Sequence, residues 1–162
     1  GGIRVPLILK MPGKIKAGLQ IKEPVMSTDL YPTILDLLNI PAMPTQHRDG
    51  KSLKHLLNGK RETMDREALY FHYPHYHPIN SMGPSGAIRM GKYKLIEIFE
   101  TGKIELYNLE DDIGEQNDLV EKMPKVKERL LNSLHQWQKK SGADLPEKNP
   151  GYLADKDFRN KK

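Results

Sequence analysis

The sequence predicts two modules of different character. The first is helical and follows a short apolar strand; the second is α+β, an antiparallel sheet of three to four strands covered by a helix. Three observations carry this expectation. Across the charged stretch Lys60 to Glu67 the hydrophobic period changes from helical to alternating. The alternating segments that follow are closely spaced and joined at glycine turns, Gly91-Lys92 and Thr101-Gly102, which is the pattern of a meander. Finally, Val126, Leu130, Leu134 and Trp137 form one helical stripe, with Pro124 at its start and Gly142 past its end. The modules are taken as residues 1–60 and 61–145, with an irregular tail over 146–162.

Element by element, Leu7-Ile8-Leu9 is a continuous apolar run closed by Pro12-Gly13, and reads as a buried strand. A buried strand needs neighbours, so it is expected to be part of a larger sheet whose other strands precede residue 1. Ser27-Thr28-Asp29-Leu30-Tyr31-Pro32 opens a helix with Asp29 as its N-cap; Pro32 lies in the first turn, where its missing N–H has no intrahelical partner. Leu30, Ile34, Leu37 and Leu38 are expected to face inward, with Pro41 as the stop. A second short helix is capped by Ser52, buries Leu53, Leu56 and Leu57, and ends at Gly59, which suits the left-handed position. Strands are expected at Ala68 to Tyr73, Gly86 to Met90, Tyr93 to Glu97 and Lys103 to Tyr107, and the covering helix at 125–140 with Trp137 in the contact. Pro146 onward has few apolar residues.

Composition excludes several classes. The 162 residues contain 26 basic and 21 acidic side chains and no cysteine, so disulfides, zinc–thiolate sites and a cysteine nucleophile have no place within them. No run approaches the length of a membrane-spanning helix. The net charge of +5 is concentrated at the ends, on Arg4, Lys10, Lys14, Lys16 and Lys22 and on Lys156, Arg159, Lys161 and Lys162. No base-reading motif accompanies it, which argues against nucleic acid and leaves a polyanionic substrate as its better use.

Five segments occur in an order that resembles the formylglycine-dependent sulfatases. They are Gly1 to Gly13, Ser27-Thr28-Asp29-Leu30-Tyr31-Pro32-Thr33-Ile34-Leu35, Asp49-Gly50-Lys51-Ser52-Leu53-Lys54-His55-Leu56-Leu57, Ala87 to Leu95, and Glu105-Leu106-Tyr107-Asn108-Leu109 with Asp112, Gly114-Glu115 and Asn117-Asp118-Leu119. The resemblance runs to about residue 145. It implies an α/β parent of alkaline-phosphatase-like fold in which 1–60 complete the large domain and 61–145 form a small C-terminal α+β subdomain. It also implies hydrolysis of sulfate esters, on a sulfated carbohydrate or an aryl sulfate. The whole protein would use a formylglycine and calcium, in a periplasmic or secreted setting, and the N-terminal catalytic part would be this stretch's partner. The family's C/S-x-P-S/A-R motif is missing here: Pro84-Ser85 is followed by Gly86 where arginine is required. No catalytic residue, metal ligand or cofactor is therefore carried onto this chain, and the stretch alone is expected to be inactive. Two alternatives remain, a non-catalytic structural or carbohydrate-binding module and a related phosphodiesterase or phosphonate hydrolase.

The candidate site residues are histidines. His72, His75 and His77 lie within Phe71-His72-Tyr73-Pro74-His75-Tyr76-His77-Pro78. Pro74 interrupts any regular geometry and no carboxylate is nearby, which disfavours zinc. Two roles suit the cluster: aromatic packing at a strand end, and sugar recognition through aromatic faces and imidazole donors. His75, ahead of His72, is the expected substrate contact. Arg4 is read as an ion-pair residue in preference to a sulfate ligand. Asp111-Asp112-Ile113-Gly114-Glu115 lacks calcium-loop spacing and is read as a turn.

Overall fold

The structure is a computed structural model that describes residues 3–76, 83–147 and 149–152. The chain forms two compact units, and it passes from one to the other between Arg66 and Glu67.

In the first unit a 3-10 turn at Ser27–Asp29 leads into α1, Leu30–Leu37, and α2 is the short helix Lys54–Leu57. α1 ends with Asn39 in the left-handed region (φ 56°), and Ile40 N–H donates back to Leu35 O at 2.8 Å. That paired-turn ending satisfies carbonyls the helix leaves open. α2 is held by Leu53, Leu56 and Leu57, all nearly inaccessible, against which Leu9, Ile15, Val25, Leu37 and Met64 pack. Ser52 Oγ accepts the Lys54 amide at 3.2 Å, and Gly59 takes φ 71° after the helix.

Three expectations fail in this unit. Residues 3–10 belong to no strand, and Leu7 and Ile8 are 45% and 88% exposed. An extended segment keeps strand geometry only when a neighbour takes its N–H and C=O groups, and no other strand exists in this unit among the described residues. Ile34 and Leu38 are exposed, while the inward side of α1 is Pro32, Thr33 and Leu37. Asp29 does not cap α1. Its Oδ2 accepts the Met26 amide at 2.8 Å, and its Oδ1 accepts Lys51 N–H at 2.9 Å and the Arg66 guanidinium at 2.6 Å.

The second unit is a four-stranded antiparallel meander, β1 (Ala68–Tyr73), β2 (Ser85–Met90), β3 (Tyr93–Ile98) and β4 (Lys103–Asn108), in that spatial order. Gly91 (φ 55°) and Gly102 (φ 68°) turn the β2–β3 and β3–β4 hairpins. One face is apolar: Ile88, Leu95 and Leu106 stand opposite one another in register and are fully buried. α3, Pro124–Ser141, covers that face with Leu130 and Leu134. Each such side chain removed from water contributes about 1.5–3 kcal/mol. Pro124 begins the helix and Gly142 closes it at φ 67°. Trp137 is half-buried, not fully enclosed, and stacks on Tyr70 with ring centroids 5.0 Å apart and planes 4° apart.

The other face carries charge. Lys94, only 5% exposed, lies beside Arg89 and Tyr107 across the strands. Its Nζ donates to both carboxylate oxygens of Glu115, at 2.8 and 2.7 Å. Glu115 reaches it from a backbone at φ 56°.

Candidate functional site: the end of strand β1

The histidine segment begins inside β1 and leaves the sheet at Pro74. Among the described residues β1 pairs only with β2, placing His72 opposite Gly86 and Tyr73 opposite Ser85. His72 is on the helix-covered side, two residues from Tyr70, because side chains alternate along a strand. Its Nε2 donates to the Asp144 backbone oxygen at 2.9 Å, and its ring lies 5.4 Å from that of Phe99. This bond requires the proton on Nε2; Nδ1 is buried without a hydrogen-bond partner among the described residues.

His75 is placed differently. It is exposed, and its ring stands edge-on to Tyr73, 5.8 Å between centroids at 87°. Tyr73 and Tyr76 are 36% and 41% exposed, so the Tyr73 ring and the imidazole it touches are presented to solvent together, and a second tyrosine is exposed next in sequence. Such a group offers stacking faces and hydrogen-bonding edges to a hydroxylated ligand. The two histidines singled out from the sequence are thus separated by role: His72 ties the end of β1 to the segment after α3, and His75 faces outward. His77 lies outside the described residues.

Sequence reading missed the polar group beneath this end of the sheet. Gln138, 5% exposed, packs over Gly86, where an added Cβ would lie 2.9 Å from its Nε2 and 3.1 Å from Phe99 Cζ. Glycine here leaves room for the amide and the ring to approach the strand. The spacing Leu130, Leu134, Gln138 was the available signal, since i, i+4, i+8 keeps Gln138 on the buried stripe.

The acidic segment is structural. Asp112 accepts the amides of Gln116 and Asn117, at 2.9 and 2.7 Å, and these bonds hold its carboxyl below the usual range. Asp118 accepts those of Leu106 and Val120, at 3.0 and 2.9 Å. Among the described residues no group of three or more His, Asp or Glu could hold a metal ion, and the sequence holds no C/S-x-P-S/A-R motif. Arg4 is exposed and pairs with no carboxylate among the described residues, against the ion-pair expectation.

Comparison with known proteins gives the family. Residues 1–140 match the family described as N-sulphoglucosamine sulphohydrolase, C-terminal. A sulfatase of Formosa agariphila is 32% identical over 157 residues, covering 88% of this chain and 28% of the relative. The N-acetylglucosamine-6-O-sulfatase of Bacteroides thetaiotaomicron is 31% identical over 161 residues, covering 96% and 28%. Among solved structures, BT4656 in complex with its substrate D-glucosamine-2-N,6-O-disulfate superposes with a TM-score of 0.77 at 30% identity, over 90% of this chain and 30% of that one. The phosphonate monoester hydrolase of Silicibacter pomeroyi, at 21% identity and a TM-score of 0.62, shares the fold. The chain therefore spans under a third of the length of these relatives, and over that stretch it belongs to the sulfatase family of the alkaline phosphatase superfamily, matching the family's C-terminal part.

Proposed function

We propose that the protein containing this chain is a sulfatase that hydrolyses sulfate esters of amino-sugar carbohydrates. In this reading the present residues supply the C-terminal subdomain and one wall of the substrate cleft, but no reacting group. The observation that carries the reading is the combination of a family match over residues 1–140 with the superposition on BT4656 bound to a sulfated glucosamine. The formylglycine, which provides the attacking oxygen, and the calcium, which balances the sulfate's charge, belong to the part of the protein outside these residues.

Within the chain, His75 is the proposed sugar contact. It is exposed beside Tyr73 and Tyr76, whereas the Nε2 of His72 is committed to Asp144. His72 sets where the loop leaves β1, and His75 meets the sugar, away from the sulfur. Loops on a rigid scaffold are where specificity residues concentrate.

The test is an assay of the full-length protein on a panel of N- and O-sulfated glucosamine oligosaccharides, an aryl sulfate and a phosphonate monoester. Desulfation of a glucosamine sulfate is expected. Turnover of the phosphonate alone would replace the reading with a phosphonate hydrolase, and no turnover at all would point to a binding module. His75→Ala should raise KM for the oligosaccharide and leave the aryl sulfate unchanged, because only the former reaches the loop. Equal losses on both substrates, or no change on either, would remove His75 from the sugar site.

A further inference from the structure

Residues 3–22 carry five cations, Arg4, Lys10, Lys14, Lys16 and Lys22, and no acid. The segment is pinned in place. Leu9, Ile15 and Val25 all pack on the Leu53, Leu56 and Leu57 cluster. Between the first two anchors the chain turns at Pro12-Gly13, where Gly13 takes φ 78°. The Lys14 and Ile15 amides both donate to Met11 O there, at 3.1 and 2.9 Å. The lysines beside these anchors, Lys10, Lys14 and Lys16, are exposed, and so is Lys22. An ordinary protein surface intersperses both signs of charge. Here no carboxylate answers the lysines: among the described residues none of the four takes part in an ion pair. The next acid along the chain, Glu23, accepts the Met64 amide at 2.9 Å. Asp29 is held by Arg66 and Asp36 by Lys54.

We propose that Lys10, Lys14, Lys16 and Lys22 form a binding surface for an extended polyanion, a sulfated glucosamine polysaccharide. The identity of this partner rests on the sulfatase reading above; the charge and its exposure do not. Lysine presents a compact charge on a flexible stem, without the fixed fork of arginine, so a row of lysines suits sulfate groups spaced along a chain. A surface of one sign also raises the local concentration of an anionic ligand and speeds its capture. Nucleic acid fits less well, because residues 3–22 contain no Phe, Tyr or Trp on which bases could stack. The surface gives the protein a preference for chain length. A polymer that reaches the lysines is held more tightly than a short fragment of the same sugar.

The experiment measures binding of an end-labelled, heparin-derived dodecasaccharide to the 162-residue chain by fluorescence anisotropy. Four lysine contacts give a log–log salt dependence with a slope of about −3. Replacing Lys10, Lys14, Lys16 and Lys22 together by Gln should weaken binding at least about 10-fold at low salt and make that slope shallower by at least about 2. The melting temperature should fall by no more than about 3 °C, because the four side chains are exposed. The same four positions changed to Arg should bind like the wild type, since charge is what the ligand requires. Changing Lys156, Arg159, Lys161 and Lys162 to Gln should cost less affinity than the first set. A loss under about 10-fold from the first set would overturn the proposal. So would a larger loss from the second set, or equal affinity for single-stranded DNA of matched charge. In the full-length protein the first set should raise KM for the dodecasaccharide and spare a sulfated disaccharide and kcat. Raised KM on both would place the lysines at the reacting sugar and also overturn it. The binding arm does not depend on turnover. Lysine-dependent binding in a protein that desulfates nothing would refute the proposed function and leave the surface standing, whereas an active sulfatase indifferent to the four substitutions would do the reverse.

Discussion

At the scale of single residues, two buried ion pairs carry consequences that the sequence pattern does not announce. Asp29 is inaccessible, and its carboxylate gathers two backbone amides and the Arg66 guanidinium, which is itself only 11% exposed. Removing one partner leaves the other charge desolvated, so Asp29→Ala should cost about 3–5 kcal/mol in urea unfolding of the chain. A loss below about 1 kcal/mol, the size expected of an exposed bridge, would show that the pair is not sealed from water. The second pair is Lys94–Glu115, with side chains 6% and 13% exposed. Burial pushes the Glu115 carboxyl up, but favourable hydrogen bonds and charges, those of Lys94 first among them, together hold it below its usual value of 4.5. A depressed carboxylate contributes stability that is present above the unfolded pKa and lost as pH falls through the folded one. Below pH 4.5 the wild type should therefore lose stability more steeply than Glu115→Gln, as read from denaturant midpoints across an acid series. Parallel curves would mean that Lys94 does not favour the ionised form.

At the scale of elements, the meander and its helix were legible because each obeys one period. β1 to β4 and α3 fall where alternation, glycine turns and the Pro124 to Gly142 bracket place them. What periodicity did not rank is depth. Val126, Leu130, Leu134 and Trp137 share a stripe, yet Leu134 is fully enclosed at its centre and Trp137 lies half-open over Tyr70 near the end. Leu134→Ala should accordingly cost about 3–5 kcal/mol. Trp137→Ala should cost less, about 2 kcal/mol, made up of partial burial and the stacked pair. Reversed ranks in thermal or urea unfolding would show the helix to sit lower on the sheet than described.

At the scale of the whole molecule, the family is clear: the chain matches the C-terminal part of the sulfatases. The matched stretch has neither the formylglycine precursor nor, among its described residues, a metal-binding cluster. The purified 162-residue chain is expected to release no phenol from an aryl sulfate at any concentration, while the full-length protein does. Turnover by the chain alone, persisting after removal of any longer species, would place reacting groups within these residues. The exposed apolar side chains of the first unit belong to this scale too. Ile34 and Leu38 point outward because nothing in residues 3–66 is positioned to cover them.

The sequence alone determined the elements of the second unit, their antiparallel order and the family, because period, turn chemistry and ordered motifs are local properties of the chain. It also marked His72 and His75, although not that one would be tied to Asp144 and the other exposed. Only the tertiary structure decided that His72 is held by Asp144, that Gln138 crowds Gly86 and that Asp29 meets Arg66 instead of capping α1. Those pairings join residues far apart in sequence, and no local pattern encodes which distant polar group will satisfy a buried one. The same reason explains the failed strand at Leu7–Leu9. Apolar residues specify that a segment should be buried, but whether it becomes a strand depends on a neighbour that accepts its hydrogen bonds.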